Sequence, residues 1–245
     1  MSSTPANHSL SNLQKLTALS GDSAYVAVGS TDNRVSILRF PSLEIIVPSF
    51  AVEGGDIVDL SWGGPDGLWL AVTTAARAEI YTLADREKAT SLVPLTTIPA
   101  PTSDVTLTFR SVRFAPEKSR TPPILAVLNS APSRKDRKAA RKAFVVKFDA
   151  VDVGAKEGDK DENDEKAAED TTRPPKIKWT LATQREVARK PITTFDVSAD
   201  GRLVAFGSSD LSIGMMDART LAVSDALWCA SCPTTTERLV LAGLR

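Results

Sequence analysis

The stretch VAFGSSDLSIGMMD, residues 204–217, nearly repeats the stretch VAVGSTDNRVSIL, residues 26–38. The two align at a constant offset of 178 positions, which pairs Asp32 with Asp210, and each continues into alternating apolar residues. Self-similarity at a fixed offset is the signature of a repeat protein. The unit that is repeated therefore decides the fold class of this chain.

The repeated unit consists of short strands joined by tight turns. In ITTFDVSADGRLVAFGSSDLSIGMMDARTLA, residues 192–222, three strands and two turns precede a third turn that leads to an outer strand. The same order begins near residues 16, 56 and 109. The second strands carry an alanine at positions 27, 71, 126 and 205, and the first interval of 44 residues is typical of a four-stranded propeller blade.

These repeats predict an all-β fold built from WD-type β-propeller blades, of which about four are recognisable. The larger intervals between the later repeats contain insertions. A β-sandwich also has short strands and frequent turns, but it does not repeat its turns and apolar triplets in one fixed order. The propeller is therefore the favoured architecture.

Composition bounds the function classes. The 245 residues contain 42% hydrophobic residues and 30 basic against 30 acidic residues, so no net charge favours nucleic acid or an acidic membrane surface. No apolar stretch approaches the roughly 18 residues of a membrane span, and the N-terminus lacks a signal peptide. Together with only two cysteines, Cys229 and Cys232, this predicts a soluble, cytosolic chain in a reducing compartment.

The chain divides into a disordered N-terminus, residues 1–12, a partial propeller, residues 13–222, and an atypical tail, residues 223–245. Two charged insertions interrupt the third repeat: residues 131–142 have a net charge of +5 and residues 151–175 a net charge of −5. Both contain too few apolar residues to offset the entropy of ordering and are predicted to be largely disordered. The basic insertion could contact phosphates or lipid headgroups, but a solvated loop is the favoured interpretation.

Motifs for catalysis, cofactors or metals are absent from the sequence. The single histidine, His8, lies in a polar N-terminal segment that is predicted to be frayed, which disfavours a histidine-based triad or a histidine-rich metal site. Cys229 and Cys232 form a C-x-x-C motif without a second ligand pair. The glycine-rich stretch Gly63–Gly67 joins two strands and lacks the lysine of a phosphate-binding loop. We therefore predict no catalytic, cofactor-binding or metal-binding residues.

Three aspartates, Asp59, Asp196 and Asp210, are the candidates for acid or base groups. Each is predicted at a turn or a strand end, where a side-chain acceptor serves the local backbone. The structural interpretation is favoured for all three. The sequence thus predicts a binding surface and not an enzyme.

The stretch KPITTFDVSADGRLVAFGSSDLSIGMMDARTLA, residues 190–222, resembles a blade of the endoplasmic-reticulum guanine nucleotide-exchange factors, the WD-repeat family of the prolactin regulatory element-binding protein type. The stretches GGDIVDLSWGGPDGLWLAV (54–72), RSVRFAPEKSRTPPILAVLNS (110–130) and FVVKFDA (144–150) follow in the family's order. The resemblance covers roughly residues 13–222.

The resemblance implies a seven-bladed propeller at the cytosolic face of the endoplasmic reticulum, held there by a C-terminal membrane anchor. It implies a small secretion-associated Ras-related GTPase as partner, whose activation starts coat protein complex II vesicle budding and transport to the Golgi. In the family, a potassium-binding loop of the N-terminal blade supports exchange. No position of this sequence is expected to inherit that loop.

The sequence departs from the family pattern after Ala222, where VSDALWCASCPTTTERLVLAGLR lacks the order of a blade. A misread gene model or a short isoform would each account for it. Four blades cannot close a ring of seven, so we expect an open arc that is marginally stable alone. Because exchange in the family depends on the potassium-binding loop, which this sequence is expected to lack, the resemblance implies weak or no exchange activity.

Two function hypotheses follow. The first is an exchange factor, or a fragment of one, for this GTPase; the second is a WD-repeat scaffold that binds proteins without exchange. A further upstream blade with a projecting glycine-rich loop would favour the first hypothesis, and a plain capping blade would favour the second. An enzyme is a distant third, because it needs a cluster of polar residues that the sequence does not display.

Overall fold

The computed structural model describes residues 14–65, 67–83, 91–101, 106–116, 121–130, 142–152, 177–223 and 228–229. Across these residues the chain forms sixteen strands, arranged as four antiparallel sheets of four strands each. This described part contains no helix that could cross a membrane.

Each sheet is a meander of four strands that follow one another in the sequence. Sheet 1 contains β1 (Gln14–Leu19), β2 (Tyr25–Ser30), β3 (Arg34–Arg39) and β4 (Glu44–Ala51); sheet 2 contains β5 (Ile57–Gly63), β6 (Trp69–Thr74), β7 (Arg77–Leu83) and β8 (Leu92–Pro99). Sheet 3 contains β9 (Leu107–Phe114), β10 (Ile124–Ser130), β11 (Ala143–Asp152) and β12 (Ile177–Ala188); sheet 4 contains β13 (Ile192–Val197), β14 (Leu203–Ser208), β15 (Ser212–Asp217) and β16 (Trp228–Cys229).

The four sheets pack face to face in chain order. The first strands lie together, because β5 contacts both β1 and β9, and β9 contacts β13. The described residues form no closed barrel. The prediction of an all-β fold with four blades of an incomplete propeller is confirmed, whereas the number of seven blades for the complete ring stays a prediction.

Three hydrophobic cores fill the spaces between the four sheets. We call the side of a sheet that faces the next sheet its forward face and the opposite side its rear face. Ala27 and Ile37 on the forward face of sheet 1 are fully buried against Leu60 and Leu70 of sheet 2. Similar apolar sets pack sheet 2 on sheet 3 and sheet 3 on sheet 4. Because strand side chains alternate between faces, both sides of the two middle sheets are apolar.

The repeat at an offset of 178 is conformational as well as chemical. In the first turn of sheet 1, the Ser20 hydroxyl donates to Asp22 at 2.7 Å, and Tyr25 N donates to Ser20 Oγ at 2.9 Å. In sheet 4, the Ser198 hydroxyl donates to Asp200 at 2.6 Å, and Leu203 N donates to Ser198 Oγ at 2.9 Å.

The same correspondence extends to residues with positive φ. The second turns place Asn33 at a φ of 59° and its counterpart Leu211 at 66°, and the third turns place Leu43 at 59° and its counterpart Leu221 at 55°. Bulky residues seldom adopt this left-handed region. The turn geometry therefore decides the backbone conformation even where the side chain opposes it.

One of the four alanines used to align the second strands, Ala126, is out of register with the others by one residue. Ala27 and Ala71 belong to forward faces, but Ala126 packs on the core between sheets 2 and 3, on the rear face of its sheet. Its neighbour Val127 is on the forward face. A shift of one residue exchanges the faces of a strand. The forward-face counterpart of Ala27 in sheet 3 is therefore Val127.

The predicted segment boundaries need correction at the strand ends. Lys142, Val151 and Asp152 fall within the two segments predicted to be disordered insertions, yet Lys142 pairs with Ser130 and the other two residues extend β11. The rest of both insertions lies outside the described residues, as do the predicted disordered N-terminus, residues 1–12, and most of the tail.

Part of the atypical tail completes sheet 4. Trp228 and Cys229 form β16, which pairs with Ile213 and Ser212 of β15, and Val223 makes an isolated bridge to Met216. An edge strand needs only backbone donors and acceptors, so it can form without the sequence pattern of a blade.

The stretch Gly63–Gly67 joins β5 to β6, as predicted for a blade turn. Gly64 has a φ of 83°, and a Cβ atom added there would lie 2.5 Å from Cγ of Trp69. Gly67 has a φ of 69° but open space around the position of its Cβ. The two glycines separate the cost of backbone strain from the cost of a clash.

Gly64→Ala is expected to lower the free energy of unfolding by about 3 kcal/mol, because strain adds to displacement of the Trp69 ring. Gly67→Ala, the matched control, is expected to cost about 1 kcal/mol from backbone strain alone. Urea unfolding followed by tryptophan fluorescence measures both. Equal losses in the two variants would contradict the packing assigned to Trp69.

Candidate functional site on the inner strands and the turn edge

A cluster of polar side chains joins the first strands of sheets 2, 3 and 4. It consists of Asp59 on β5, Ser111 and Arg113 on β9, and Asp196 on β13. These strands pair with the next strand of their own sheets and approach one another at the inner side of the stack. Residues separated by up to 137 positions in the sequence thus meet in one place.

Asp59 is the centre of the cluster. Its Oδ2 accepts hydrogen bonds from the Ser111 hydroxyl at 2.5 Å, from Val112 N at 3.2 Å and from Arg113 Nη1 at 2.5 Å. The side chains of Asp59 and Arg113 are 17% and 25% exposed. A charge-assisted hydrogen bond at this degree of burial holds the two strands together more strongly than an exposed pair does.

Arg113 also reaches the fourth sheet. Its Nε lies 3.5 Å from Oδ1 of Asp196, whose side chain is 81% exposed and also accepts a hydrogen bond from Val197 N at 2.9 Å. The guanidinium therefore bridges a shielded carboxylate and an exposed one. The Ser111 hydroxyl donates to a carboxylate that already binds arginine, so the arrangement suits fastening of sheets and not activation of a nucleophile.

The three candidate aspartates have different environments. The prediction that Asp210 is a turn acceptor is confirmed. Its carboxylate accepts hydrogen bonds from the hydroxyls of Ser208 and Ser212 and from the backbone N of Ser212. Asp196 binds the adjacent backbone and also Arg113. For Asp59 the prediction of a local backbone partner at a turn or strand end is wrong. Asp59 lies within β5, and its partners belong to the next sheet. Separation of more than fifty positions hides such partners from a reading of local sequence.

Hydrogen bonds in the turns lower the pKa values of three carboxyl groups. Asp200 is held mainly by the Ser198 hydroxyl, Asp210 mainly by the Ser208 hydroxyl and Asp217 mainly by Thr220 N, and each of these bonds lowers the pKa of its carboxyl group below the ordinary value. Donors to a carboxylate stabilise its charged form. These aspartates are therefore structural groups that remain ionised at neutral pH.

A second feature is the edge of the stack where second strands turn into third strands and fourth strands lead to the next sheet; we call it the turn edge. Val52 N donates to Asn33 O at 2.9 Å, and Phe109 N donates to Ala75 O at 2.9 Å. Asn129 exchanges two side-chain hydrogen bonds with the backbone of Ile192, at 3.0 and 3.1 Å. Each sheet's turn is thereby fixed to the segment that starts the next sheet.

The insertions leave the stack at opposite edges. Ser130 and Lys142, which flank most of the basic insertion, exchange hydrogen bonds of 2.8 Å at the turn edge. Asp152 and Ile177, which flank the acidic one, are paired at the other edge. The described flanks of the two insertions therefore lie at opposite edges of sheet 3.

A cleft of about 250 Å³ lies beside the turn edge between sheets 1 and 2. Arg77 in this cleft donates to Glu53 at 3.1 Å and contacts Glu79, and the hydrogen bond to Glu53 is the main cause that raises the pKa of Arg77. Burial, followed by the hydrogen bond to Glu79, raises the pKa of Tyr81. This cluster was not predicted from the sequence, although the alternation in RAEIYTL, residues 77–83, places Arg77, Glu79 and Tyr81 on one face of β7.

No group of three or more histidine, cysteine, aspartate or glutamate side chains in the described ranges could hold a metal ion. Cys229 is part of β16, whereas His8 and Cys232 lie outside those ranges. The chain matches no protein-family model and no curated protein.

The ion pair of Asp59 is expected to contribute to stability. Arg113→Met should lower the free energy of unfolding by about 2 kcal/mol, because it leaves a mostly buried carboxylate without its cation. Asp196→Asn, which removes only the exposed arm of the same cluster, should cost about 0.5 kcal/mol or less. Chemical unfolding of both variants tests the assignment, and a larger loss for Asp196→Asn would refute it.

The lowered carboxyl pKa values predict a loss of stability in acid. Since the folded pKa values lie below the unfolded value of about 3.9, their contribution is complete above that pH and disappears as the pH falls through the folded values. Ser208→Ala removes the main donor to Asp210 and should raise the pKa of Asp210.

Carboxyl carbon NMR titration of Ser208→Ala measures this shift directly. Ser209→Ala is the matched control, since the adjacent hydroxyl is not among the donors to Asp210. An unchanged Asp210 titration in Ser208→Ala, or an equal shift in Ser209→Ala, would refute the assignment.

Proposed function

We propose that this chain acts by binding a small GTPase, as all or part of a guanine nucleotide-exchange factor of the kind that initiates coat protein complex II budding from the endoplasmic reticulum. The observation that supports a binding role is the turn edge, where turns of successive sheets are fixed to one another by backbone and asparagine hydrogen bonds. A row of preordered turns offers a partner a surface with little loss of conformational entropy on binding.

The choice of partner rests on the sequence resemblance of residues 13–222. Exchange is a binding function: a factor that prefers the nucleotide-free GTPase shifts the population toward that state and releases the nucleotide. The fastening of sheets by Asp59 and Arg113 supports this role, because a rigid scaffold retains the relative positions of its turns. The site of action in this proposal is the cytosolic face of the endoplasmic reticulum membrane.

A scaffold that binds proteins without exchange is the second candidate. The cleft beside Arg77 favours it, since a concave surface with carboxylates and a tyrosine can bind a basic peptide without reference to a nucleotide. The two functions differ in whether affinity depends on the nucleotide state of the GTPase.

The test is the affinity of the chain for the secretion-associated GTPase in three states, nucleotide-free, GDP-bound and GTP-bound, measured by biolayer interferometry. We expect at least about tenfold tighter binding to the nucleotide-free state. Equal affinities would favour the scaffold, and no binding to any of the three states at tens of micromolar would overturn the GTPase assignment.

Two charge reversals locate the surface. Lys190 is exposed in the segment that leads to β13 at the turn edge, and Arg219 is exposed at the opposite edge of the same sheet. Lys190→Glu should weaken GTPase binding about fivefold through lost electrostatic complementarity, while Arg219→Glu should leave it unchanged. The reverse ranking would assign the partner to the opposite edge.

A further inference from the structure

The forward face of sheet 4 is an uncovered copy of a face that is buried elsewhere in the molecule. At the offset of 178, Leu203, Ile213 and Met215 correspond to Tyr25, Val35 and Ile37 of sheet 1. The residues of sheet 1 are 5%, 0% and 0% exposed because sheet 2 covers them. Their counterparts in sheet 4 are 46%, 54% and 38% exposed.

The pairing register confirms that these side chains share one face. Ala205 is opposite Met215, and Gly207 is opposite Ile213, in the same alternation that places Ala27 opposite Ile37 and Gly29 opposite Val35 in sheet 1. Ala205 is exposed, whereas Ala27 is fully buried. The forward face of sheet 4 thus keeps the small and large apolar residues that a following sheet covers in sheet 1.

The rear face of sheet 1 is the complementary case. The register places Leu19, Val26, Leu38 and Ile45 in one row across the sheet. Their counterparts at the offset of 178 are Val197, Val204, Met216 and Val223, which pack on sheet 3. Leu19 and Ile45 are both 51% exposed, whereas Val204 and Met216 are fully buried. Sheet 1 therefore carries an uncovered rear face of the type that a preceding sheet covers.

We propose that the forward face of sheet 4 binds the rear face of sheet 1 of a second copy of this chain. This contact continues the series of three interfaces inside the molecule, in each of which a forward face packs on a rear face. The described residues leave one uncovered surface of each kind, so two copies supply both halves of a fourth contact of the same type. Such a contact is heterologous, since different surfaces of the two copies meet.

Exposed apolar side chains that share one face of a sheet are typical of an interaction surface. The exposed carboxylate of Asp196 is paired with Arg113 of the same chain, which lowers the cost of bringing a second apolar surface close to it. The association is independent of the proposed GTPase binding, which uses the turn edge and not the sheet faces.

The test is the mass of the intact 245-residue chain by sedimentation velocity at tens of micromolar. The wild-type chain should sediment with at least twice the monomer mass of 26.2 kDa. Leu19→Lys and Met215→Lys place a charge in opposite halves of the contact, and each variant alone should sediment as a monomer. Both side chains are exposed within the monomer, so its folding is retained.

Mixing the two variants gives the sharpest result. Leu19→Lys keeps an intact forward face and Met215→Lys keeps an intact rear face, so an equimolar mixture should recover a mixed dimer. Labelling one variant with nitrogen-15 lets native mass spectrometry distinguish mixed from unmixed pairs. Leu181→Lys, which charges a 46% exposed leucine on β12 of sheet 3, outside both proposed faces, is the matched control and should keep the wild-type mass.

Three results would overturn the proposal. They are a monomeric wild-type chain, an unchanged mass in both face variants, and a mixture of the two variants that remains monomeric.

Discussion

Every described sheet in this molecule depends on the burial of at least one apolar face by a neighbouring sheet, and the two middle sheets depend on the burial of both faces. A strand in sheet 2 or sheet 3 has apolar side chains on both sides, so neither sheet could exist alone in water. Because each interface joins a forward face to a rear face, the sheets can only be added in one order and one orientation. The fold is thus a stack in which each member stabilises the next.

Polar contacts fix the alignment that apolar packing leaves adjustable. Hydrophobic burial is not directional, so the burial of apolar area does not by itself select one alignment of two sheets. The hydrogen bonds of Asp59 to β9 and those of Asn129 to Ile192 require specific atoms at specific distances. They set the rotation of one sheet against the next, and so they determine where the turns of the proposed binding surface lie.

The sequence predicted the elements of this structure better than the contacts between them. Turn residues and apolar alternation are local, so the four blades and the turn at Gly63–Gly67 could be identified correctly. The face of Ala126 was assigned wrongly, because a run of consecutive apolar residues in ILAVLNS, residues 124–130, has no period that marks its register. The Asp59–Arg113 pair and the strand at Trp228 could not be identified, since neither leaves a pattern near its own position.

The face-to-face packing in chain order also determines how the molecule opens. Separation of sheet 1 or sheet 4 breaks one interface, whereas separation of sheet 2 or sheet 3 breaks two, so local opening costs least at the ends of the stack. Backbone amides of β6 and β10 should therefore exchange with solvent deuterium far more slowly than those of β3 and β15. The molecule is in this sense a short linear series of coupled folding units, in which the protection of backbone amides from exchange rises toward the two middle sheets.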